Sequence, residues 1–214
     1  MKEKPIIFTS EMVKAILEGR KTQTRRVIKP QPTRNHHIAY MEGQGAYNCS
    51  GEGQFEELTY YATTVRTIKC PYGQPRDRLW VRETIMKSKN KREHLGVYAA
   101  DDSSILTSKF NLGTGETEVD WVCHFKKNKI SAIFMPRWAS RIILEITNIR
   151  VERLQEITLK DAIAEGIKAE FVYDPEPEDD NAAFKYLWNS INKTYPWLSN
   201  PWVWVISFKR VNSH

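Results

Sequence analysis

The sequence predicts an α+β fold: one mostly β domain, decorated by two loop insertions, with helices at one end. Three observations lead there. Strand-like apolar segments recur along the whole chain, whereas only three stretches have the spacing of an amphipathic helix. The C-terminal run sets Trp202, Trp204, Ile206 and Phe208 against Val203 and Val205, so its first half is apolar on both sides. That is the pattern of a strand buried within a barrel or sandwich.

Pro5-Ile6-Ile7-Phe8 opens the chain as a short strand. The first helix follows: Ser10 is its expected N-cap, Glu11 suits the first turn, and Met12, Val13, Ile16 and Leu17 form the apolar stripe. Gly19 ends it, as a glycine in the left-handed conformation commonly does. The run Gly19-Arg20-Lys21-Thr22-Gln23-Thr24-Arg25-Arg26 comes next. From Arg20 to Lys29 there are five basic residues and no acid, and their charges are expected in solvent. If the run continues as a strand, Thr22, Thr24 and Arg26 share one face. Lys21 and Thr24 would then point to opposite faces and meet only if the backbone bends between them.

Arg34 to Thr59 is polar and rich in glycine and reads as the first insertion; Met86 to Glu118, with Lys-rich and Ser-rich stretches, reads as the second. Strand signals fall at Tyr60–Cys70, Leu79–Glu83, Gly96–Ala99, Trp121–Phe125 and Arg141–Arg153. In the last of these Ile142, Leu144 and Ile146 share a face, and the phase then shifts by one residue to Ile149 and Val151, which predicts a bulge or sharp bend near Asn148. Thr158-Leu159-Lys160-Asp161 fits a capping box, with a stop at Gly166. Phe184, Leu187, Trp188 and Ile191 give the third helix its apolar face. Between those helices, residues 173–180 form an acidic, proline-rich loop. No internal repeat breaks the chain, so residues 1–214 read as a single domain.

The 214 residues contain 32 Lys and Arg against 26 Asp and Glu, a formal charge of +6 and a pI near 9.1. This favours nucleic acid or another polyanion as partner. No stretch is long and apolar enough to span a membrane, and the N-terminus is too short and charged for a signal sequence, so a cytoplasmic location is expected. Cys49, Cys70 and Cys123 are unpaired in spacing and read as free thiols. The adjacent pairs His36-His37 and Cys123-His124 lack the spacing of metal ligands, so no metal and no cofactor is expected. The oligomeric state is not encoded in any motif.

Basic residues also alternate with tryptophan. Arg78, Trp80 and Arg82 would share a strand face, and Arg137-Trp138 with Arg141 forms a similar cluster. Guanidinium groups beside planar rings suit bases and phosphates; the competing reading places the tryptophans in the core and pairs the arginines with Glu83 and Glu145.

Several of these segments together resemble the ASCH domain family. The residues are Met12-Val13-Lys14-Ala15-Ile16-Leu17-Glu18-Gly19-Arg20-Lys21-Thr22-Gln23-Thr24-Arg25-Arg26, Asp77-Arg78-Leu79-Trp80-Val81-Arg82-Glu83, Met135-Pro136-Arg137-Trp138-Ala139-Ser140-Arg141, Asp161-Ala162-Ile163-Ala164-Glu165-Gly166-Ile167, and Asn200-Pro201-Trp202-Val203-Trp204-Val205. The likeness is to the longer members often encoded by phages and prophages, and it covers most of the chain outside the insertions. It implies a PUA-like β-barrel with peripheral helices. Arg76 departs from the pattern, standing where many relatives have glycine.

The first motif is similar to that of small bacterial ASCH amidohydrolases, which remove the acetyl group from 4-acetylcytidine with a lysine, a threonine and a glutamate. By motif position those roles fall on Lys21, Thr24 and Glu165. Thr24 would attack the amide carbonyl, and Lys21 would take its proton, its pKa lowered by Arg20, Arg25 and Arg26. Glu165, at a helix C-terminus where the macrodipole disfavours a carboxylate, would carry or orient a proton. Arg26 or a backbone N–H would stabilise the oxyanion.

Arg20, Arg25, Arg26, Arg78, Trp80, Arg82, Arg137 and Trp138 are the candidate contacts to a modified nucleoside or RNA. Other ASCH proteins are described as RNA-binding or as ribonucleases. A non-catalytic RNA-binding module is therefore the alternative, and a metal-independent ribonuclease the third reading.

Overall fold

A computed structural model describes residues 1–32, 36–41, 45–50, 65–87, 96–105, 127–168 and 181–211. Strand β1 (Glu3–Ile7) leads through helix α1 (Ser10–Leu17) to β2 (Gln23–Val27). Then come β3 (His36–Met41), β4 (Gly45–Ser50), β5 (Val65–Ile68), β6 (Arg78–Arg82), β7 (Ile85–Lys87), β8 (Gly96–Tyr98) and β9 (Lys129–Ile130). The long β10 (Ile143–Arg153) is followed by α2 (Leu159–Ala164), α3 (Ala182–Ile191) and β11 (Trp202–Val211). The architecture is α+β, mostly sheet with few helices.

Five strands form the main sheet in the order β1–β6–β10–β11–β2. β1 runs parallel to β6, and every other neighbouring pair is antiparallel. β11 has core on both faces, as its double apolar pattern predicts. Trp204, Ile206 and Phe208 pack with Phe8, Val13, Ile16, Ile28 and Leu144 on one side. Val203 and Val205 pack with Leu154, Ala162, Phe184 and Trp188, from α2, α3 and the turn before α2, on the other.

The phase shift in β10 is a true irregularity: Ile146 pairs with Phe208, Asn148 with Ser207, and Thr147 is the extra residue. The shift keeps Leu144, Ile146 and Ile149 in the same core despite their change of parity.

Helix α1 is capped one residue earlier than expected. Thr9, not Ser10, holds the extended N-cap conformation, and its Oγ1 accepts from the Met12 N–H at 3.4 Å. Gly19 lies at φ +76°, the left-handed end that its position predicts. The Thr158–Asp161 capping box forms, with Gly166 at φ +97° beyond α2. Arg76 adopts φ +74°, in the left-handed region.

The insertions contain more regular structure than their composition suggests. β3 and β4 lie inside the first and, with β5, make a three-stranded sheet; β7 and β8, at the start of and within the second, pair with β9 in another. In the first insertion glycine content hides the strand signal because backbone pairing does not require an apolar side chain, whereas β8 falls on the strand expected at Gly96–Ala99. The expected strand Trp121–Phe125, the acidic run 173–180 and the Cys123-His124 pair lie outside the described residues. Cys70 is a buried free thiol, its pKa pushed up by burial. No helix among the described residues is long and apolar enough to cross a membrane.

Candidate active site

β2 is an edge strand, and its open side is where the predicted residues meet. Thr22 O accepts from Phe208 N and Ile28 N donates to Trp202 O. With the register of β2 on β11, this turns the backbone groups of Gln23, Arg25 and Val27 away from the sheet. The side chains alternate the other way: Thr24 and Arg26 follow Ile28 toward one core, Arg25 and Val27 toward the other.

The bend needed between helix and strand lies at residues 19–22. After Gly19 the backbone is held by Lys21 N to Ala15 O at 3.0 Å and Thr22 N to Ala164 O at 2.9 Å. This folds the Lys21 side chain inward, where it is fully buried. The expectation that the run's charges stay in solvent is therefore wrong for Lys21 and for Arg25, which is also buried. Partners from distant parts of the chain permit this.

Lys21 Nζ donates to Gln23 O, to Glu165 O and to Glu165 Oε2, each at 2.8 Å. Three acceptors match the three protons of an ammonium. The Glu165 carbonyl is one of the orphan acceptors at the C-terminus of α2, so the lysine caps the negative end of that helix. Burial pushes the Lys21 pKa below its usual value; the Glu165 charge and hydrogen bond oppose that, and the charges of Arg26 and then Arg25 reinforce it. The expected lowering by neighbouring arginines is thus present but secondary to burial, and Arg20 has no part in it.

Glu165 is 4% exposed rather than on the surface. Its second oxygen, Oε1, accepts from Arg25 Nη1 at 3.3 Å. Arg25 Nη2 also reaches Glu152 at 3.0 Å and Asp161 at 3.3 Å. Arg150 pairs with the same Glu152 and Asp161, and Gln23 Nε2 donates to Asp161 Oδ1 at 3.1 Å. Lys21, Arg25 and Arg150 therefore offset Glu152, Asp161 and Glu165. Removing one partner of a buried pair typically costs about 3–5 kcal/mol, because the other charge is left without compensation.

Thr24 is 2% exposed. It lines a cavity of about 60 Å³ together with Arg26, Glu165, Phe184 and Leu187. That exceeds the roughly 10–15 Å³ that admits one water, so the cavity has room for a small group. The structure thus brings Thr24 and Glu165 to one cavity and Lys21 to Glu165. Lys21 spends its three protons on Gln23 and Glu165, not on Thr24.

The candidate binding residues divide. Arg20 pairs with Glu18 and donates to Gly166 O at 2.5 Å. Arg25 is committed to the buried Glu165 and the partly buried Glu152 and Asp161. Arg26 lies over the rings of Phe8 and Tyr72, at 5.2 and 6.0 Å, and donates to Ile7 O. Among the described residues no carboxylate pairs with Arg26.

Arg78, Trp80, Arg82 and Arg137 gather elsewhere, on and beside β6, which β10 and β11 separate from β2 by roughly 14 Å at the usual strand spacing. There Arg82 and Arg137 lie 4.8 and 5.9 Å from the Trp80 ring, and Arg137 also pairs with Glu3. Trp138, 36% exposed, adjoins Arg137 in a short 3-10 turn. Arg141 pairs with Glu83 and Asp101, the competing structural reading for that residue.

Sequence reasoning missed Gln23, Arg150, Glu152 and Asp161. Their acids and bases are scattered over β2, β10 and α2, and only the Arg150–Glu152 alternation gives a local sign of them. Comparisons with models of protein families, with curated proteins and with solved structures give no match.

Proposed function

We propose that this chain is an ASCH-type amidohydrolase with a PUA-like fold, removing an acyl group from 4-acetylcytidine or a similar modified nucleoside. The observation that supports it best is the buried Lys21–Glu165 pair placed at the edge of β2, with Thr24 and Glu165 in the wall of one small cavity. The curvature that a barrel needs has support in the β10 bulge.

In this reading Lys21 first passes a proton to Glu165 Oε2 along their hydrogen bond, a transfer favoured by burial of the ammonium. The neutral amine then exchanges its Gln23 contact for the Thr24 hydroxyl, a tightening expected when substrate enters. As Lys21 takes the hydroxyl proton, Thr24 Oγ1 bonds to the acyl carbon. The outward N–H groups of Arg25 and Val27, or the Arg26 guanidinium, receive the oxyanion. The C–N bond breaks as Glu165 returns its proton to the leaving amine. Water, deprotonated by Glu165, then cleaves the acyl-threonine ester; Lys21 returns its proton to Thr24 and regains one from Glu165.

The test is release of cytidine from 4-acetylcytidine. Thr24→Val and Lys21→Ala should each lower kcat by about 10²-fold or more, and Thr24→Ser should retain part of it. No turnover by the unmodified chain, together with salt-sensitive RNA binding lost in Arg26→Ala, overturns the enzyme reading in favour of a binding module.

A further inference from the structure

A second, larger cavity of about 520 Å³ adjoins the small one and shares Arg26, Val27, Ile191 and Asn192 with it. It is the size of an ordinary small-ligand site. Arg26, Lys29, Lys69 and Lys193 line it, and among the described residues no carboxylate does. These four cations come from three separate parts of the chain: the end of β2 and its extension, the segment after β5, and the segment after α3. Four like charges around one concavity repel one another, and an anion held among them relieves that repulsion.

We infer that this cavity receives the phosphate of an acylated nucleotide, so that the substrate is phosphorylated rather than a free nucleoside. The inference rests on the amidohydrolase reading for the acyl end alone. Its other supports are independent of that chemistry.

Arg26 Nε is buried with no hydrogen-bond partner, and burial lowers the pKa of that guanidinium against the pull of Tyr72 and Glu165. A cation so poorly solvated gains from an anion. Lys29, Lys69 and Lys193 are exposed and, among the described residues, paired with no carboxylate. Tyr72, Tyr195 and Trp204 supply aromatic wall, and Lys29 Nζ lies 5.9 Å from the Tyr195 ring. Aromatic surface beside cations suits a sugar-phosphate carrying a base.

The test uses unreactive ligands. Cytidine 5′-monophosphate should bind at least about tenfold more tightly than cytidine, the equivalent of one charge-assisted hydrogen bond. The advantage should shrink with added salt and vanish in the Lys29→Ala/Lys69→Ala/Lys193→Ala variant, whose changes are all on exposed side chains.

A cytidine-containing oligoribonucleotide distinguishes the two sources of phosphate. Binding tighter than the mononucleotide identifies a nucleotide unit within RNA, and equal binding identifies the mononucleotide. Equal affinity for cytidine and its monophosphate, unchanged in the triple variant, overturns the inference even if 4-acetylcytidine is hydrolysed. Phosphate-dependent binding without any deacylation removes the enzyme reading and leaves the phosphate site standing.

Discussion

Lys21 sits between two opposed demands. Burial favours its neutral form, whereas the Glu165 carboxylate and the carbonyl at the end of α2 favour the ammonium. The result is a lysine that gives up its proton more readily than one in water. The proton that Lys21 shares with Glu165 is the one the leaving amine receives, so turnover of 4-acetylcytidine should fall as pH rises along a limb whose midpoint lies below 10.5, the ordinary lysine value. Because Arg26 contributes to the lowering, Arg26→Gln should move that midpoint upward. A pH–rate profile in kcat checks both, and a midpoint that Arg26→Gln leaves unmoved or shifts downward excludes Lys21 as the titrating group.

At the scale of elements, the site depends on how the ends of α1 and α2 meet. A Cβ on Gly166 would lie 2.9 Å from Ala15 Cβ and 3.2 Å from Lys21 Cβ, at a backbone φ of +97°. Nothing lies within 4 Å of the corresponding position on Gly19. Gly19→Ala should then cost only the left-handed conformation, about 1 kcal/mol, while Gly166→Ala should cost more, about 2–4 kcal/mol, by adding overpacking. Urea denaturation measures the difference; equal losses would mean that the helix ends yield freely.

Much of this level was legible in the sequence. Gly19 and Gly166 mark helix ends by position, Thr158 and Asp161 by their spacing, and the parity change from Ile146 to Ile149 marks the bulge. These signals are local, because each is written in residues within one or two turns of the feature. The Thr9 cap was missed because Thr9 and Ser10 are adjacent hydroxyls, and only the backbone geometry chooses between them.

For the whole molecule, the five-stranded sheet has a protected interior and, at β2, a working edge with no further strand beyond it among the described residues. β11 is flanked by β10 and β2 and has core on both faces. Amide hydrogen exchange should therefore be slowest in Val203–Ile206. Within β2, the Thr24 and Arg26 amides, bonded to β11, should exchange more slowly than those of Arg25 and Val27. Equal protection along β2 would show that its outer edge is covered and remove those amides as oxyanion donors.

The sequence by itself determined the class of fold, the central position of the C-terminal strand, the helix ends and the excess of positive charge, since each follows from neighbouring residues or simple composition. Only the tertiary structure decided which charges are buried and with whom. Lys21 meets Glu165 across 144 residues, and Arg25 draws acids from β10 and α2, while the arginines of β6 are held several strands away. Lys29, Lys69 and Lys193 give no local sign of a shared cavity. Burial and ion pairing depend on which distant segments the packed sheet brings together, and periodicity within a segment is blind to that.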